Sequence, residues 1–127
     1  MDPLVNALIT IMNHEGRRKK ECIITPASGL VSKVLRLIQQ KGYIGEIEFI
    51  DDSRQGKFRV QLFGRINVCK AVRPRYSTKV KEMEKWEKRF LPSRDLGAVI
   101  LSTPKGVIDH RQAKELNVGG VVIAYVY

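Results

Sequence analysis

The hydrophobic period changes several times along this chain, and that switching commits it to a mixed architecture. Leu4, Leu8, Ile11 and Met12 recur at helical spacing. They follow Asp2-Pro3, a capping carboxylate and then proline at the first helical position. Asn6, Thr10 and Asn13 line another face of this helix, and Gly16 is its expected stop. The basic run Arg17-Arg18-Lys19-Lys20 leads into a short strand, ECII, closed by Pro26. A second helical stripe (Val31, Val34, Leu35, Ile38) predicts a helix over 28–41, with Gly42 as its C-terminal residue. Strict alternation then takes over in EIEFID (46–51) and KFRVQLF (57–63), joined by the hairpin loop DSRQG. The order α-β-α-β-β predicts two helices packed on one face of a three-stranded sheet.

Beyond Gly64 the pattern changes again. RINVCKAV alternates until it reaches Pro74. Residues 79–91 form an amphipathic stripe through Val80, Met83, Trp86 or Glu87, and Phe90, and Pro92 closes it. GAVILS (97–102) reads as a buried strand, Asp109–Leu116 as a short capped helix, and GGVVIAYVY as a last strand. The expected fold class is therefore α+β in two small lobes. An N-terminal α/β lobe covers 1–65, and a mainly β lobe with short helices covers 66–127.

The length of 127 residues suits one compact unit or two such lobes, and 43% apolar residues argue against disorder. No apolar run is long enough to cross a membrane and no secretory pattern opens the chain, so a cytoplasmic, non-membrane protein is expected. Cys22 and Cys69 stand far apart on alternating segments, which predicts reduced core thiols rather than a zinc site or a disulfide.

Charge narrows the partner class. Lys and Arg number 23 against 13 acids, a net +10, which favours a polyanion, most commonly nucleic acid. Residues 70–94 concentrate it, with nine cations (Lys70, Arg73, Arg75, Lys79, Lys81, Lys85, Lys88, Arg89, Arg94) against Glu82, Glu84 and Glu87. The last 33 residues hold three bases and three acids. The stretch STPKGVIDHRQA (102–113) thus lies beside the charge without supplying it.

Ser102-x-x-Lys105 has the bare spacing of a serine–lysine acyltransferase, but Pro104 and Gly106 interrupt the turn and the companion motifs are missing. His14 and His110 are too few for a metal site, and no phosphate-cradling glycine loop is present, so neither metal nor cofactor is expected. His110, next to the cap Asp109, is expected on the solvent side of its helix. As a contact surface, Ser102 and Thr103 end a buried strand and offer hydroxyls suited to RNA base edges and 2′-hydroxyls. Pro104 restricts the turn, Lys105 reaches a phosphate and Gly106 admits close approach. The same residues also suit an ordinary strand–turn–helix connection. Tyr125 and Tyr127, with Gly119-Gly120, could form a platform beside this loop or pack in the core. Arg73, Arg75 and Tyr76 combine cations with an aromatic ring, as single-strand binders do, or form a solvated turn around Pro74. Helix 79–91 also admits a DNA-binding reading, although its outer face carries mainly Lys and Glu.

The segment LSTPKGVIDHRQAKELNVGGVVIAYVY resembles the C-terminal signature of the small-subunit ribosomal protein S-eight family. DPLVNALITIMN is similar to the first helix of that family, and KGYIGEIEFIDDSRQGK and LPSRDLGAVILST resemble its archaeal and eukaryotic branch. The resemblance covers essentially the whole chain. It implies a non-enzymatic primary binder of the central domain of small-subunit ribosomal RNA that recognises a stem there and helps assemble the platform. It also implies a cytoplasmic, ribosomal location, neighbouring small-subunit proteins as partners, and a monomer when free. Ser102, Thr103, Lys105 and Gly106 match the RNA-reading loop, Gly119 and Gly120 the adjoining glycine pair, and Asp2 and Asn13 the first helix. The bacterial pattern differs, with a second serine at the place of Pro104 and an acid at the place of Val121.

Overall fold

The computed structural model describes residues 2–93 and 95–127, so Arg94 of the basic segment lies outside the described residues. Contacts divide the chain into two compact units, one ending at Cys69 and the other running from Lys70 to Tyr127. The fold is α+β in both.

In the first unit, α1 (Pro3–Gly16), β1 (Glu21–Ile24), α2 (Gly29–Gln40), β2 (Ile44–Ile50) and β3 (Lys57–Leu62) follow in the expected order. The Asp2 carboxylate accepts from the Leu4 N–H at 3.0 Å and the Ser28 hydroxyl from Val31 N–H at 3.3 Å, so both helices start on side-chain caps. The strands form an antiparallel sheet in the order β1-β3-β2. Alternation buries Cys22, Ile24, Phe58, Val60 and Leu62 of the strands, and helical spacing buries Leu4, Leu8 and Ile11 of α1 and Val31, Leu35 and Ile38 of α2; α1 lies against β1 and α2 against β2. Each such side chain contributes about 1.5–3 kcal/mol on burial. Glu15 and Met12 extend the unit past β3. Glu15 accepts from the Gly64 and Ile66 amides, and the Met12 sulfur from the Cys69 amide. Both cysteines are free and buried, and burial, reinforced by Glu15, raises the Cys22 thiol to about 11 and the Cys69 thiol to about 12.

The second unit is a four-stranded sheet in the order β4-β7-β5-β6, from β4 (Cys69–Thr78), β5 (Ala98–Thr103), β6 (Gly106–Asp109) and β7 (Gly120–Val126). A 3₁₀ turn (Val80–Glu82) leads into α3 (Met83–Phe90), and α4 (His110–Leu116) follows β6. Met83, Trp86, Leu91 and Ala113 pack with Val72, Val99, Leu101 and Val122. Two features differ from the sequence reading. β4 runs through Pro74 and on to Thr78, because an edge strand has one row of amides outside the ladder and tolerates proline. And residues 106–109 are a strand: Gly106 to Asp109 pair with Thr103 to Ile100, so the presumed loop is a hairpin.

Candidate nucleic-acid interface

The hairpin turns over Thr103-Pro104-Lys105-Gly106, with Thr103 and Gly106 as the closing pair. Proline in the second position and glycine in the fourth suit a tight turn, and Gly106 stands at φ +113 with open space around it. The Thr103 hydroxyl stitches the turn together. It donates to the Gly106 carbonyl at 2.8 Å and accepts from the Lys105 amide at 3.1 Å. Its single proton is therefore engaged inside the protein, and only acceptor capacity is left for a partner. Ser102 pairs with Val107 on one side and Val121 on the other and is half-buried. Pro104, Lys105 and Gly106 are exposed.

Gly119 and Gly120 adjoin this turn, and both are required by packing within the unit. A Cβ on Gly120 would run into the Ser102 carbonyl oxygen and stand 2.7 Å from the Thr103 methyl; one on Gly119 would stand 2.5 Å from the Thr78 carbonyl oxygen. Side-chain-free backbone thus lets the start of β7 close on the ends of β5 and β4. The structure brings Ser102 to Gly106 together with Gly119 and Gly120 at one end of the sheet.

It does not bring Tyr125 there. Tyr125 pairs with Val99, near the opposite end of β5, and stands five residue steps of strand from Gly120, about 17 Å. Tyr125 belongs instead to a ladder of rings: Tyr76–Trp86 at 4.9 Å between centroids, Trp86–Phe90 at 6.0 Å, Phe90–Tyr125 at 4.8 Å and Tyr125–Tyr127 at 6.3 Å. The Arg89 guanidinium lies over Tyr76, Trp86 and Phe90, and the Lys85 ammonium lies 4.8 Å over Trp86. Arg73 and Arg75 are exposed on the edge strand β4, beside the half-buried Tyr76. Asn13 is exposed on α1, in the other unit.

Behind the hairpin, α4 begins with a reciprocal cap. Asp109 accepts from the Gln112 amide at 2.8 Å and Gln112 from the Asp109 amide at 3.2 Å. His110, expected on the solvent side, is fully buried. The unforeseen strand β6 is the reason: it delivers Asp109 opposite Ile100, so the first helical residue falls back onto β5. There Nδ1 accepts the Val99 amide at 3.1 Å, which fixes the remaining proton on Nε2, 3.5 Å from a Glu87 carboxylate oxygen. Glu87 also pairs with Lys114. Burial holds His110 below the ordinary histidine range; Glu87 and Asp109 pull it upward, and Arg111 and Lys114 push it down.

The sequence profile of the family described as Ribosomal protein S8 matches residues 2–127. The Small ribosomal subunit protein uS8 of Methanococcoides burtonii is 50% identical over 127 residues, covering 100% of this chain and 98% of that protein. The chain belongs to the ribosomal protein S8 family. Membership, on the archaeal and eukaryotic side of the family, carries a general structural, ribosomal-RNA-binding role without catalysis. Ser102 is accordingly a hydrogen-bonding group on a strand end and not a nucleophile.

Proposed function

We propose that this protein binds the central domain of small-subunit ribosomal RNA through the β5–β6 turn and helps organise the platform of the subunit in cytoplasmic ribosomes. Neighbouring small-subunit proteins complete its partners, and the free protein is a monomer. One observation carries the reading. A turn with a single cation, stitched by Thr103 and closed on by Gly120, holds the Ser102 hydroxyl and exposed Lys105 at the end of a sheet whose other edge carries Arg73 and Arg75. Phosphate contacts position an RNA-binding protein, whereas short hydroxyls and backbone read a shallow groove. In this reading Ser102 reads, Thr103 shapes the turn and accepts one bond, Pro104 and Gly106 fix the approach, Gly119 and Gly120 bring β7 against it, and Lys105 neutralises a phosphate. Arg73, Arg75, Tyr76 and Tyr125 flank the RNA on the second unit, and Asn13 supplies a lesser contact on the first.

The test is binding to a central-domain stem against unrelated duplex RNA at one salt concentration. Ser102→Ala should lower the cognate-to-unrelated ratio by roughly 5- to 150-fold, the equivalent of the ~1–3 kcal/mol that an unpaired partner costs. Lys105→Ala should weaken both RNAs alike. Equal affinity of the unsubstituted protein for both RNAs would overturn the reading.

A further inference from the structure

α1, α2 and α4 close with the same two backbone bonds. In α2, Tyr43 N–H reaches the Ile38 carbonyl at 3.3 Å and Gly42 N–H the Gln39 carbonyl at 2.9 Å. In α4 the donors are Val118 and Asn117, to Ala113 and Lys114; in α1 they are Lys19 and Arg18, to His14 and Glu15. This closure turns one residue into left-handed backbone, here Gly42 (φ 84), Asn117 (φ 55) and Arg18 (φ 57). Glycine and asparagine are ordinary in that conformation, whereas the Cβ of an arginine crowds the following carbonyl. The glycine of α1 lies two residues earlier, at Gly16, so a cation occupies the position that favours glycine.

The surroundings of Arg18 are built around the same charge. Arg17, Lys19 and Lys20 are exposed, and the Lys20 carbonyl accepts from Leu62 N–H at 2.8 Å, which draws the end of β3 alongside. Glu15 grips the amides of Gly64 and Ile66 at 3.2 and 3.0 Å, with Arg65 between them. The Arg65 guanidinium lies 4.7 Å over the exposed Phe63 ring and donates to the Gly42 carbonyl at 3.0 Å, next to Lys41. The main-chain and Arg65 bonds thus gather Arg17, Arg18, Lys19, Lys20, Lys41 and Arg65 at one end of the unit. Glu15 lies among them, and Lys20 shares a hollow with Glu21, Glu46, Glu48 and Arg59, so the cations outnumber the acids without standing clear of them. A guanidinium oriented by a ring and a carbonyl keeps its other N–H groups in a fixed fork, the geometry that matches a phosphate.

We propose that this end of the first unit is a separate RNA-contact surface, taking the sugar–phosphate backbone without reading bases. The proposal rests on the RNA-binding reading above. Its test uses the full chain and a central-domain ribosomal RNA fragment, with salt titration and hydroxyl-radical footprinting of Arg18→Gly, Arg65→Ala and Ser102→Ala. Arg18→Gly should melt no lower than the unsubstituted protein, because glycine relieves the left-handed backbone, yet its log–log salt slope should fall by roughly 0.7–0.9. Arg65→Ala should lower the slope by the same amount. Both should lose protections that Ser102→Ala retains. Folded Arg18→Gly and Arg65→Ala proteins with the original slope and footprint would overturn the proposal. A protein whose unsubstituted form leaves no footprint would overturn the RNA-binding reading instead.

Discussion

The helix end of the first unit and the ring ladder of the second hold their cations by different means. In the first, Arg17 to Lys20 ride a helix end and are fixed by main-chain bonds, so their side chains are free of packing duties. In the second, Arg89 and Lys85 lie across aromatic faces, and the turn at 103–106, with Lys105 its one cation, is locked by its own hydroxyl and by the close approach of Gly120. Charge and stability are therefore separable along residues 17–20 and joined at Arg89 and Lys85, as they are at Arg65 of the first unit.

Glycines expose that contrast most strongly. Gly120→Ala must push its Cβ into the Ser102 carbonyl, and an overpacked site of this kind costs about 1–3 kcal/mol in urea unfolding. Gly16→Ala meets no atom within 4 Å and replaces glycine in a helix, so it should stabilise by ~0.5–1 kcal/mol. Two alanine variants of equal stability would erase the distinction between the units.

Acid should act through the second unit. The unfolded chain takes up a proton at His110 near the ordinary pKa of about 6.5, whereas the folded imidazole, buried and accepting from Val99, holds off protonation until lower pH. Between those values the unfolded state binds more protons. Stability is then full above about pH 6.5 and falls as the pH drops toward the folded value, by at most ~1.4 kcal/mol per pH unit. The dependence should vanish in His110→Gln, and a slope that survives there belongs to another group.

The smallest effect tests the cations directly. Arg89→Ala removes a guanidinium from three rings and should cost ~0.5–1 kcal/mol. Arg17→Ala should lie within about 0.5 kcal/mol of no change. A larger loss at Arg17 would show that the helix end depends on its charge.

The architecture of the first unit was legible in the sequence because each element advertises itself locally: Asp2-Pro3 opens α1, Gly42 ends α2, and alternation marks β2 and β3. What escaped depends on partners distant in sequence. β6 has only four residues, too few to show a period, and its recognition requires the pairing with β5. Missing it misplaced His110. The ring ladder joins residues 76, 86, 90, 125 and 127, so Tyr125 reads as a platform until the sheet carries it to the end away from the turn. In the candidate site, serine, threonine, proline and glycine were visible as residue types. The division of labour between Ser102 and Thr103 was not, since it depends on which way one hydroxyl points.

Trp86 has a consequence for how the protein can be watched. It is the single tryptophan of the chain, 3% exposed, between Tyr76 and Phe90 and beneath two cations. Indole fluorescence therefore arises wholly from the second unit and follows the intactness of its ring ladder. Tyr43 is the only tyrosine of the first unit and absorbs where tryptophan excitation at the red edge does not. With no label added, emission during denaturation times the melting of one half of the molecule, and the amide signal of the helices times both. The interval between the two traces measures how far the halves unfold as one.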